Sequence, residues 1–89
     1  MSEQAPEFHP DFFSIGSGSG GVTITFGASP GPDETEGHDY CVVRLSHQDA
    51  KSLAMMLRGQ VKRYEKETKT EVVVPVDVKD RFGLRNEDW

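Results

Sequence analysis

The apolar residues of this chain are spaced first in twos, then in threes and fours, then in twos again. A two-residue period marks half-buried strands, and the longer one marks an amphipathic helix. Phe12–Ile15 opens the first strand, with Phe13 and Ile15 on one side and Phe12 and Ser14 on the other. Val22, Ile24 and Phe26 then form an apolar face against Thr23 and Thr25, the pattern of a half-buried antiparallel strand. Tyr40–Leu45 reads as a third strand. Cys41, Val43 and Leu45 share one face, and Tyr40, Val42 and Arg44 the other. Both faces are fairly apolar, which suits a central strand or one with its outer face covered.

Ser46 and Asp49 fit a helix-capping pattern, with the hydroxyl accepting from a first-turn N–H and the acid favouring the positive helix end. Ala50, Leu53, Ala54, Leu57, Val61 and Tyr64 follow at steps of three and four, predicting one helix over roughly 47–68. Gly59 lies off that stripe, which suits a close backbone approach or solvent exposure equally. After Thr70, Val72, Val74, Val76 and Val78 alternate with Val73, Pro75 and Asp77. Pro75 restricts the segment to an edge strand or an extended arm. Phe82, Leu84 and Trp89 are awkward to leave in water. They imply an arm that packs on its own domain, crosses to a second copy or docks on another protein.

Between the elements, Gly16–Gly21 reads as a hairpin loop or a flexible link. Residues 27–39 read as an acidic, mobile loop rich in glycine and proline. Residues 1–11 read as a flexible tail in which Phe8 is placed to dock locally. The expected organisation is therefore a tail (1–11), an α+β domain (12–69) and an extended C-terminal arm (70–89). Within the domain, a three-stranded antiparallel sheet is packed by one long helix from the C-terminal half of the chain.

Length changes this picture. The helix would run about 33 Å, whereas strands of five or six residues span about 17–20 Å. Val61 and Tyr64 then have little of their own sheet to rest on, so the arm or a second chain must cover them. Eighty-nine residues with a single cysteine allow no internal disulfide, and domains this small usually need a staple or a partner chain. A homo-oligomer is expected, most simply a dimer. Cys41, inside an apolar run, reads as a buried, inert thiol. No apolar run reaches about 18 residues, so no membrane association is expected and the chain reads as cytoplasmic.

Charge is divided along the chain. Residues 1–43 carry seven acids and no Lys or Arg, whereas residues 44–69 carry seven bases against three acids. Lys51, Arg58, Lys62 and Lys69 fall within about 40° of one another on the helix, beside the apolar stripe. They are either an anion-binding surface or an ordinary solvated flank with snorkelling stems. The net charge of -5 argues mildly against nucleic acid as the main partner.

Other candidate chemistry fails on context. The GSGSGG run precedes a strand, not a helix, so it is no phosphate cradle. Asp33, Glu34, Glu36 and Asp39 lack the spacing of a calcium loop. His9 stands alone in the tail, and Ser46 with His47 lacks a third group to orient a base. No catalytic, cofactor or metal residue is assigned.

Three stretches, Val22–Gly27, Val42–Leu57 and Val61–Glu67, resemble a small uncharacterised prokaryotic family, a domain of unknown function with a strand-strand-strand-helix core. Ser46, Ala50-Lys51, Leu53 and Tyr64-Glu65 match its pattern, while the long loop and the arm depart from it. The resemblance covers about half of the chain, rests on core and capping residues, and implies a fold and self-association but no catalytic residue. On architecture alone the arrangement is similar to SecB-type export chaperones. The expected function is a non-enzymatic, homo-oligomeric assembly or protein-interaction module. The expected contact residues are Lys51, Arg58, Lys62, Lys69, Val61, Tyr64, Val74, Val76, Phe82, Leu84 and Trp89. The alternatives are nucleic-acid binding through the basic stripe and a SecB-like chaperone-type binder.

Overall fold

A computed structural model describes residues 4–33 and 35–89. Glu34 of the acidic loop and residues 1–3 of the tail lie outside the described residues. The architecture is α+β: strands β1 (Phe12–Gly18), β2 (Gly21–Ala28) and β3 (His38–Leu45), a long helix α1 (His47–Thr68), a short helix α2 (Val76–Phe82) and a single 3-10 turn at Asn86–Asp88. The chain divides into two compact units, one ending at Ala50 and the other beginning at Lys51.

The first unit is an antiparallel meander in the order β1-β2-β3. Phe13 pairs with Phe26 and Phe26 with Cys41; Ile15 pairs with Ile24 and Ile24 with Val43; Ser17 pairs with Val22 and Val22 with Leu45. Paired residues point to the same side of a sheet. The three alternations predicted from sequence therefore coincide as three rows on one face, apolar except at Ser17. The opposite face carries Phe12, Ser14, Thr23, Thr25, Val42 and Arg44.

Both interstrand loops are shorter than their composition predicts. Ser19-Gly20 alone forms the β1–β2 turn, because Gly16 and Gly18 remain paired. Gly21 makes this junction possible. Its φ is +135°, and a Cβ there would meet the Leu45 carbonyl group of β3, with the carbonyl carbon at 3.2 Å. The acidic loop shrinks from 27–39 to 29–37, since Gly27 pairs with Asp39 and Ala28 with His38. A register shift at Phe26/Gly27 leaves Tyr40 as an extra residue, a β-bulge. Backbone pairing outweighs the low strand preference of glycine here.

The tail also has more order than its composition suggests. Phe8 stacks on Tyr40 with ring centroids 5.3 Å apart, and His38 meets Tyr40 edge-on at 5.3 Å. Asp11 Oδ1 accepts a hydrogen bond from the Ser29 N–H at 2.8 Å. At the end of β3 the expected helix cap is present: the Asp49 N–H donates to Ser46 Oγ at 3.1 Å, and the Ala50 N–H to the Ser46 carbonyl at 2.9 Å.

In the second unit α1 ends in a left-handed residue, Lys69, at φ 55°. The Thr70 N–H donates back to the Glu65 carbonyl at 3.2 Å, closing a Schellman-type turn. Glycine normally fills that position, and an L-residue there costs about 1–2 kcal/mol. Lys69→Gly should therefore raise stability by about 1 kcal/mol, read as a higher thermal midpoint; a lower midpoint would contradict the left-handed cap.

The arm is extended only up to Pro75, which corrects the expectation of a continuous extended segment. Pro75, at φ −57° and ψ 144°, stands at the N-cap of α2, and its carbonyl accepts from the N–H groups of Val78 and Lys79, each at 3.1 Å. A proline ring tolerates a helix start as readily as a sheet edge, so the valine alternation was not decisive. Gly83, in the left-handed region, ends α2, and the Leu84 N–H donates to the Lys79 carbonyl at 2.9 Å.

Candidate interaction surfaces

Among the described residues no hydrophobic side chain is buried. Ile15 is 64% exposed and Phe13 49%, while Ile24, Phe26 and Leu45 are half-buried by their own neighbours. Cys41 lies in the row with Phe13 and Phe26 and is half-buried. The expected buried thiol is thus corrected: its position in the strand is as read, but it is half-buried, not buried.

In the second unit the arm lies along the C-terminal half of α1. The Val72 N–H donates to Glu65 Oε2 at 2.9 Å, and Arg58 Nε donates to the Trp89 carbonyl oxygen. The Trp89 ring receives two cations, with the Arg58 guanidinium 5.7 Å and the Lys62 ammonium 5.3 Å from its centroid. Lys79 Nζ donates to Asn86 Oδ1 at 2.7 Å, and Arg85 and Asp88 cap the final turn reciprocally. These contacts enclose a groove of about 840 Å³, with Val61, Lys62, Val72, Val74, Leu84 and Trp89 among its walls.

The structure therefore brings together Arg58, Lys62, Val61, Val74, Leu84 and Trp89 of the expected contact residues. It leaves the others apart. Lys51 is exposed near the start of α1, and Lys69 serves as the left-handed cap. Tyr64 is exposed, and its carbonyl accepts from Thr68 Oγ1 at 2.8 Å. Val76 opens α2 in solvent, and Phe82 lies under the Arg81 guanidinium at 5.8 Å. Gly59 faces open space.

Sequence reasoning missed Met56 and the recess it forms with Leu53, Leu57, Gln60 and Arg63 along α1, about 430 Å³ in volume. Met56 borders the stripe three residues after Leu53, a helical step that is the signal by which it could have been found, and it is 67% exposed. Sequence reasoning also missed Val73 and Glu65 in the groove, because their roles depend on the arm turning back along α1.

The docked arm gives a direct measurement. The chain has one tryptophan, so its fluorescence reports on Trp89 alone. Arg58→Ala removes one cation over the ring and the donor to its backbone, interactions of about 1 kcal/mol each. Trp89 emission should move to longer wavelength; an unchanged spectrum would mean that the ring is not held on Arg58.

No family model, curated protein or solved structure matches the chain. No helix among the described residues is long and apolar enough to cross a membrane. Nor do three or more His, Cys, Asp or Glu side chains lie together there in a way that could hold a metal ion.

Proposed function

We propose that this chain is a non-enzymatic, self-associating interaction module whose apolar surfaces are buried between copies, with the arm-lined groove facing a protein partner. The observation that carries this reading is the absence of any buried hydrophobic side chain among the described residues, together with the alignment of eight apolar side chains on one sheet face. A chain of this size gains stability chiefly by removing apolar surface from water. Surface left over at that scale, ordered into rows and not scattered, suits a second layer. The family resemblance implies the same self-association. One unpaired cysteine fits a reducing, cytoplasmic setting.

Nucleic-acid binding through the basic flank has less support, because Arg58 and Lys62 already hold Trp89. The test of the main reading is sedimentation equilibrium at micromolar concentration. A dimer of 9.9 kDa chains, about 20 kDa, or a larger species is expected. A single-chain mass across the concentration range would overturn it.

A further inference from the structure

We infer that Val72–Val74 of two copies pair as antiparallel strands about a two-fold axis at Val73. This rests on the self-association proposed above and names the segment through which two copies meet. Every residue that pairs belongs to the second unit.

The backbone is built for it. Residues 70–75 run without turn or bend, and the Val72 N–H is committed to Glu65 Oε2 at 2.9 Å. In an extended chain successive N–H groups point to opposite edges. The Val73 N–H and carbonyl therefore lie on the edge away from Glu65, and within the unit neither has a hydrogen-bond partner. Val73 is also 76% exposed, more than any other large hydrophobic residue among those described. An extended β-branched segment that is held along one edge and unpaired along the other is a template for strand addition.

Three features select the arm of a second copy as the added strand. Val72-Val73-Val74 reads the same in both directions. Antiparallel pairing thus sets Val73 opposite Val73 and Val72 opposite Val74, with a β-branched residue at every position. Charge fixes the direction. Antiparallel strands set Glu71 against Pro75, whereas parallel strands would set Glu71 against Glu71, and like charges directly opposite destabilise a pair. Reach disfavours the chain's own sheet. Glu65, which anchors the segment, lies about 28 Å along α1 from Ser46. From the same point β3, with 8 residues, runs back only about 26 Å. Whatever the angle between the two units, the segment is held at or past the end of that edge.

The pairing also terminates itself. Pro75 has no N–H, and its carbonyl already accepts from Val78 and Lys79, so the ladder stops where Glu71 faces Pro75. With one free edge per chain, the contact is isologous and closes at two copies.

Because Val73 meets itself, one cysteine tests the pairing. A hydrogen-bonded antiparallel pair sets its Cα atoms about 5.5 Å apart, within the range that a disulfide spans. In a chain with Cys41→Ser, Val73→Cys should give a disulfide-linked dimer under mild oxidation several-fold faster than Val76→Cys, a comparably exposed valine outside the pair. Equal rates would overturn the pairing, yet leave self-association intact if the natural chain still sediments above about 10 kDa. Val73→Pro gives a second measurement that needs no cysteine. It keeps the backbone extended but removes the donor, so the dimer loses two hydrogen bonds and its dissociation constant should rise about tenfold or more. An unchanged constant would overturn the pairing. A natural chain that sediments as a single copy would overturn both readings.

Discussion

Ile15→Asp should dissociate the assembly and take most of its thermal stability with it. In a single chain Ile15 is 64% exposed, and a substitution at such a position ordinarily changes stability by no more than about 0.5 kcal/mol. Its row decides otherwise. Ile15 is paired to Ile24, and Ile24 to Val43, in the middle of the apolar face. Once a second layer covers that row, an aspartate there is a desolvated charge without a partner, at a cost of several kcal/mol. A loss of 2.7 kcal/mol is a hundredfold weaker association. Because no hydrophobic side chain among the described residues is buried within one chain, a dissociated copy has little left to hold it. The natural chain should accordingly melt at a temperature that rises with protein concentration, and the variant should melt far lower. If Ile15→Asp melts with the natural chain at every concentration, the face is ordinary surface and the self-association reading fails.

The second large effect lies at Gly21. An alanine Cβ there would press on the Leu45 carbonyl group, with the carbonyl carbon at 3.2 Å, and the residue's φ of +135° is strained for any L-side chain. The obstacle is backbone of the neighbouring strand, which cannot rotate away as a side-chain end would. Relief requires β2 and β3 to part where Val22 pairs with Leu45, next to Ser46, the residue that caps α1. Gly21→Ala should therefore cost at least about 2 kcal/mol. Urea unfolding should show a lower midpoint at an unchanged slope. Gly59→Ala is the control. Nothing lies within 4 Å of a Cβ at that position, so the change should stabilise α1 by about 1 kcal/mol.

The elements that were legible in sequence are those set by local periodicity. The three alternations carry both the strands and their facing: Phe13, Ile24 and Cys41 fall on the same side without any knowledge of register. The bounds of α1 follow from the Ser46–Asp49 cap and the end of the Tyr64 stripe. What escaped depends on partners distant in sequence. Gly16, Gly18, Gly27 and Ala28 have weak strand preference, and they became strand because their backbones pair with residues already committed to a sheet. The spacing around Pro75 predicts an edge strand or an extended arm, but the same fixed φ starts a helix when the Pro75 carbonyl can accept from the amides of the next turn. The groove was half legible. Val61, Lys62, Val74, Leu84 and Trp89 were singled out as apolar or charged residues in need of a contact, but only the return of the arm onto Arg58 shows that they meet.

An unburied interior has a consequence for the life of the protein in a cell. When copies complete one another's hydrophobic layer, folding and pairing become one equilibrium, and solitary copies remain open to proteases. On the proposed self-association, each chain's survival would depend on meeting another. Turnover would be fast when synthesis is sparse and slow once copies accumulate, so the degradation rate itself would register how much of the protein is present.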